Sequence, residues 1–207
     1  MVHRRELKGT ELVFGNQGDL YGNAMTWFDH GTGSIWSQPR GEAILGPLTG
    51  ERLELLPSTL TTWQAWTTAN PQTLALDVEG WPTGFHLEDM AVVVDMGGAA
   101  TAYSFEELQR SGVVNDEVAG VPVAIVIDPQ DTNRWAVFSR QLDDVVVELS
   151  FVQAGLIDIA TGTSFDPFSG VGVAGPLRDQ SLDRLPAFTA FPDDYARFFP
   201  AGTMWPG

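Results

Sequence analysis

The string DHGTGSIWSQPRGEAILGPL, residues 29–48, is followed by RLELLP at 52–57, a tryptophan-bearing segment and Pro71. Further on, DIATGTSFDPFSGVGVAGPL, residues 158–177, is followed by SLDRLP at 181–186, then Tyr195 and Pro200. One constant shift superimposes the two without a gap. It sets Asp29 on Asp158, Thr32 on Thr161, Gly33 on Gly162 and Gly41 on Gly170. It also sets Gly46-Pro47-Leu48 on Gly175-Pro176-Leu177, Leu53 on Leu182, Leu56-Pro57 on Leu185-Pro186 and Pro71 on Pro200. A repeat of this length is a tandem structural unit, and it decides the architecture before any single element is read.

Short apolar runs separated by glycine and proline turns make each unit β-rich. Strands are expected over 11–15, 24–29, 34–38, 42–45 and 52–56, with Asn16-Gln17-Gly18-Asp19 read as a turn. A helix is expected over 58–70, with Trp63 and Trp66 on one face. In the second half the strands are 91–95, 100–103, 113–118, 121–127, 135–140 and 145–151. A short helix is expected over 105–110 and another over 192–199, the latter with Pro192 and two aspartates at its start. The run 121–127 is apolar almost throughout, as in a strand buried on both faces. No β-α-β alternation is present. The fold expected is therefore mainly β, two repeated β-rich units with short helices. An incomplete first repeat covers 1–76, a connector 77–87 and a complete second repeat 88–207.

The repeat extends backwards, because Arg5-Glu6-Leu7 resembles Arg140-Gln141-Leu142. The chain thus begins in the middle of a unit, and the first unit lacks the leading strands that 87–135 give the second. This leads to the expectation that the chain is the rear part of a longer protein. An uncovered first unit leaves an open sheet edge through which a homodimer could form.

With 27 acidic against 11 basic residues and a formal charge of −16, the surface repels phosphate, so nucleic acid is not expected as a partner. The chain has no cysteine, which removes disulfides, thiol catalysis and thiolate metal sites from its own repertoire. No apolar run reaches the length of a membrane span, and no signal peptide follows the first residues. The compartment stays open: cytoplasm on the absence of a signal, envelope if a front is missing. His3, His30 and His86 lack ligand spacing, and no pair of carboxylates stands out as a glycosidase pair. No metal, cofactor or catalytic residue is assigned, and whether the chain is an enzyme is left open.

Two polar turns have both a functional and a structural reading. Asp128-Pro129-Gln130-Asp131 could hold a cation or simply turn the chain, and Asn115-Asp116 likewise reads as a turn. The seven tryptophans (27, 36, 63, 66, 81, 135 and 205) are either core or ligand platforms. Phe165 opposite Trp36 and Tyr195 opposite Trp66 argue for core. A ligand face, for a small molecule or carbohydrate, would lie among Asn16, Gln17, Asn23, Asp29, Trp36 and Gln38, where the first copy keeps polar detail that the second has lost.

Phe14-Gly15, Gly18, Asp29, Thr32, Trp36-Ser37-Gln38, Gly41-Glu42-Ala43, Gly46 and Leu56-Pro57 resemble the pattern of the prokaryotic family called domain of unknown function 3179. Residues 112–123, GVVNDEVAGVPV, resemble its other hallmark. The resemblance covers nearly the whole chain. It implies no established activity. In typical members a Val-Asn-Asp strand pair leads into a Cys-Pro-x-Cys segment, and some members carry selenocysteine there. The second copy has Asp128-Pro129-Gln130-Asp131 at that place, and Ser111 where a histidine is usual. In the first copy His30 replaces an arginine, and Asn23-Ala24 a Ser-Asp pair. The resemblance therefore implies thiol or selenol redox chemistry for an intact protein, with this cysteine-free chain non-catalytic. A ligand-binding module and a purely structural domain are the rival readings.

Overall fold

The computed structural model describes residues 1–58, 63–75, 87–97, 99–129, 131–152 and 155–205. The expected connector at 77–87, with Trp81 and His86, lies almost wholly outside the described residues.

In the first copy β1 (Val2–His3) pairs with β8 (Leu55–Leu56). Next come the small hairpin β2 (Glu6–Leu7) and β3 (Thr10–Glu11), and a four-stranded antiparallel sheet. That sheet holds β4 (Phe14–Tyr21), β5 (Ala24–Asp29), β6 (Ile35–Ser37) and β7 (Glu42–Leu45) in sequence order. α1 (Trp63–Ala69) follows. The expected strand over 52–56 is shorter than its apolar run, because Arg52 only bridges to Glu42 before β8 begins. The turn expected at 16–19 is instead part of β4. There the ladder slips between Asn16 and Leu20, a β-bulge rather than a reversal. The chain reverses at Gly22-Asn23, both at positive φ, as a two-residue hairpin requires.

The second copy opens with β9 (Ala91–Asp95), β10 (Ala100–Ser104) and α2 (Phe105–Ser111). A three-stranded meander follows: β11 (Val113–Val118), β12 (Val121–Asp128) and β13 (Asp131–Ser139). All five residues from Val123 to Ile127 are buried, as a strand covered on both faces demands. Asn115 and Asp116 lie inside β11 and are not a turn. Asp128 ends β12 opposite Asp131 and is engaged by Arg134 at 3.4 Å. Then β14 (Gln141–Leu142) and β15 (Val145–Val146) form a small hairpin. A second four-stranded sheet is built from β16 (Leu149–Val152), β17 (Gly155–Asp158), β18 (Ser164–Phe165) and β19 (Gly172–Ala174). The chain closes with β20 (Phe188–Ala190), α3 (Pro192–Phe198) and β21 (Thr203–Trp205). These two strands flank β9 and β10 in the order β20-β9-β10-β21.

Several backbone bonds recur in both copies. The small hairpins β2-β3 and β14-β15 turn through Lys8 and Asp143, at φ 51° and 50°. Leu12 N–H donates to Arg5 C=O at 2.8 Å, and Val147 N–H to Arg140 C=O at 2.9 Å. Arg4 N–H donates to Glu54 C=O, as Ser139 N–H does to Asp183 C=O. Phe14 pairs with Asp29 as Leu149 pairs with Asp158. The shift is 135 residues at Arg5 and 129 at Asp29, so the first hairpin, β4-β5, is six residues longer than β16-β17.

Contacts divide the chain into two compact units. One holds 1–58, 92–102 and 185–207; the other holds 59–91 and 103–184. The first therefore joins the opening repeat to the tail of the second. Within the other unit, Ala124, Val126, Ala136, Phe138, Leu149, Leu156, Phe165 and Leu182 form a core cluster. The smaller cluster of the first repeat is Leu12, Trp36, Ala43 and Leu53, with Leu7, Phe14, Trp27 and Leu48 against it. Trp36 is fully buried, in keeping with its match to Phe165. Trp66 does not follow Tyr195: the tyrosine is 3% exposed and the tryptophan 45%. Its indole N–H is tied to Thr73 Oγ1 at 3.0 Å.

Candidate functional site

The turn after β5 needs a residue that can accept several backbone and side-chain donors at once, and Asp29 supplies it. Its carboxylate accepts Thr32 N–H at 2.6 Å, Thr32 Oγ1–H at 2.8 Å and Trp36 Nε1–H at 3.1 Å. Thr32 and Ser34 hydroxyls are 2.6 Å apart, and Ser34 Oγ accepts Leu48 N–H. Burial alone would raise the Asp29 carboxyl. The bonds from Trp36, Thr32 and Ser34 outweigh it and hold the group below the usual carboxylate range. Asp158 repeats the arrangement with Thr161 and Thr163. The Phe165 side chain offers no N–H, and Glu148 N–H takes the remaining oxygen at 3.0 Å. There too burial opposes, and bonds from Thr161, Glu148 and Ala160 prevail, lowering the pKa. Both carboxylates are fully buried. Among the described residues all their hydrogen bonds lie within the turns or on the chain beside them, so they brace the β-turns and offer nothing to a substrate.

The longer hairpin β4-β5 carries a polar run at its bulge, Asn16 to Asp19, whose members bond to one another and to Thr26. Asn16 Oδ1 accepts Gly18 N–H at 3.0 Å, and Gln17 Oε1 accepts Asp19 N–H at 2.8 Å. Gln17 Nε2 donates to Asp19 Oδ2, and Thr26 Oγ1 donates to Asp19 C=O at 2.7 Å. These contacts fix the bulge. At the hairpin tip, Asn23 Nδ2 reaches Asp194 Oδ1 at 3.5 Å. Gly22 passes so close to α3 that a Cβ would lie 2.9 Å from the Phe198 ring. An open cleft of about 410 Å³ forms there, lined by Asn23, Phe191, Pro192, Asp193 and Asp194. Phe191 is 46% exposed.

Gln38 follows β6 and is half-buried; its carbonyl accepts His3 Nε2–H at 3.0 Å. Its neighbour Ser37 is fully buried, with no partner for Oγ among the described residues. The second copy has Asp166 there, which accepts Phe168 N–H, Ser169 N–H and Ser169 Oγ–H. Pro39 stands opposite Phe168 and has no N–H to give, so the same cap cannot form around Ser37.

The six residues read from sequence as one ligand face thus go to four places. Asp29 and Trp36 are bonded together and buried, so Trp36 presents no ligand platform. Asn16 and Gln17 close the bulge. Gln38 sits beside His3. Only Asn23 reaches the cleft, whose other walls come from the tail of the second repeat. Sequence reading missed Phe191, Asp193 and Asp194 as its companions, because nothing local marks residues 171 positions apart as neighbours.

These features define a class: a duplicated, mainly β protein in which a buried Asp-Thr turn is built twice. A family model described as protein of unknown function (DUF3179) matches residues 1–86 and again 83–205; the chain belongs to this family. Comparisons with curated proteins and with solved structures find no match. No helix among the described residues is long and apolar enough to cross a membrane.

Proposed function

We propose that this chain acts as a binding module for a small polar ligand of the carbohydrate class, held at the tip of the long hairpin. The observation that carries the reading is the six-residue extension of β4-β5, which brings Asn23 to Asp193, Asp194 and the exposed ring of Phe191. An aromatic face beside carboxylates and a carboxamide suits a sugar: the ring stacks on C–H groups while the oxygens accept hydroxyl protons. Thiol or selenol redox chemistry, the other reading of the family pattern, finds no thiol in this chain. Calorimetric titration with a panel of neutral mono- and disaccharides tests the proposal. Binding at millimolar concentrations or tighter is expected, weakened about tenfold in Asp194→Asn, which keeps shape and loses charge-assisted bonds. Silence across the panel, or equal binding by Asp194→Asn and Phe191→Ala, would overturn it.

A further inference from the structure

In the second repeat one carboxamide closes the outer edge of β16. Asn115 Nδ2 donates to Leu149 C=O at 2.8 Å, and Leu149 N–H donates to Asn115 Oδ1 at 3.0 Å. Arg140 fastens the same overlay from below. Its guanidinium donates to the carbonyls of Val123, Val147 and Asp116 at 3.1–3.3 Å. Ala124, Val126 and Ala136 from β12 and β13 then complete the core over Leu149 and Phe165.

The first repeat keeps the receiving half of this arrangement. Phe14 stands where Leu149 stands, and among the described residues its outward N–H and C=O meet no partner. Arg5 stands where Arg140 stands, with its side chain 61% exposed and, among the described residues, held only by Glu11. Among the described residues, every member of the core cluster here comes from 7–53. Phe14 and Leu7 are half-buried, whereas Leu149 and Leu142 are 1% and 8% exposed.

We propose that this edge and face are a docking site for an antiparallel β-hairpin of a partner polypeptide. Its first strand carries an asparagine opposite Phe14. Its second strand offers small apolar side chains to Phe14 and Trp27 and carbonyl groups to Arg5. The second repeat is the template for the occupant. A second copy of β4 is a poorer fit: the bulge between Asn16 and Leu20 breaks the edge into the short runs 14–16 and 20–21, too little for continuous strand-to-strand pairing, and a charge of −16 repels a like chain. An asparagine clamp needs one residue.

The probe is a synthetic peptide of residues 112–128 added to the full chain and followed by amide hydrogen exchange. The Phe14 amide should slow about tenfold, and a peptide carrying Asn115→Ala should lose that protection. The Leu149 amide, already clamped, serves as the internal reference. A second measurement avoids peptide aggregation. Residues 103–136 are fused directly before Val2, reproducing the junction at Val137, and Phe14 should then exchange as slowly as Leu149. Unchanged exchange at Phe14 in both experiments, equal protection by the Ala peptide, or dimerisation through β4 in sedimentation would overturn the proposal.

Discussion

The loop from Asp29 to Gly46 and its counterpart from Asp158 to Gly175 keep the same Asp-Thr turn and the same backbone bonds around it, although fewer than half their side chains agree. The hairpins just before them agree in neither length nor content. The difference lies in what the backbone demands. Gly46 and Gly175 have φ near +100°, and a Cβ on either would lie 2.8 Å and 2.7 Å from the Cα of Ser34 and Thr163. Such a position admits only glycine. Asp29 and Asp158 each satisfy several donors that would otherwise be buried unpaired. A hairpin tip has no such constraint, so extension is cheap there. The duplicated turn is scaffold, and the long hairpin is where the copies were free to differ.

Removal of the carboxylate tests the scaffold half of that contrast. Asp29→Ala and Asp158→Ala should each lower unfolding free energy by about 3 kcal/mol, since each strands buried donors. Urea denaturation of the two variants measures it; one large loss beside one near zero would mean the turns are not equivalent. The same pair sets the acid limit. Both carboxyls are held below their unfolded values near 3.9, so their stabilisation is complete above that pH and is lost as pH falls through the lower folded values.

Next comes the clamp that only the second repeat has. Asn115→Ala should cost about 2 kcal/mol, because both backbone groups of buried Leu149 lose their partner. Exchange at the Leu149 amide should rise, with Phe14 unaffected. A loss spread evenly over both amides would remove the asymmetry between the repeats.

Trp36→Phe installs the second copy's residue in the first. It should cost about 1 to 1.5 kcal/mol, for one hydrogen bond and a small void, while Asp29 keeps its bonds from Thr32. A loss as large as that of Asp29→Ala would show that the indole, not the carboxylate, holds the turn.

The legible parts of this chain are those where backbone geometry chose the residue. The shared glycines, the Asp-Thr pairs and the Leu-Pro stops showed the duplication, and apolar runs placed strands such as β5, β7, β9, β11 and β12 within a residue, whereas 11–15, 52–56, 135–140 and 145–151 were misplaced or split. The bulge was not legible. Asn16-Gln17-Gly18-Asp19 has turn composition, but Thr26 from the neighbouring strand holds it in the sheet, and no local pattern shows that bond. Asn115 stood out in the family hallmark, yet its partner is a backbone atom 34 residues away. The cleft was least visible, because Phe191 and the aspartates of α3 meet Asn23 only after the tail has folded back onto the first repeat's hairpin.

His3 gives the smallest expected effect and the finest probe of the repeat. It stands where Phe138 stands: the rings of both lie against a glycine, at 2.7 Å from a Cβ on Gly41 and 2.8 Å from one on Gly170. His3 donates Nε2–H to Gln38 C=O and packs its ring edgewise on Trp27 at 5.8 Å, but its buried Nδ1 has no partner among the described residues. Burial lowers its pKa, and the bond to Gln38 only partly opposes this. The folded state therefore binds a proton less readily than the unfolded chain, whose histidine titrates near 6.5. The sign follows: stability from this site is complete above about pH 6.5 and declines as pH falls through that value towards the lower folded pKa. His3→Phe removes both the orphan nitrogen and the titration. It should gain about 0.5 to 1 kcal/mol at neutral pH, the added apolar contact exceeding the lost bond to Gln38, and gain more at pH 5. Parallel stability curves for the two proteins between pH 5 and 8 would mean that the site does not titrate with folding. A loss at neutral pH would mean that the bond to Gln38 outweighs the resemblance to Phe138, and that the first repeat has made this histidine its own.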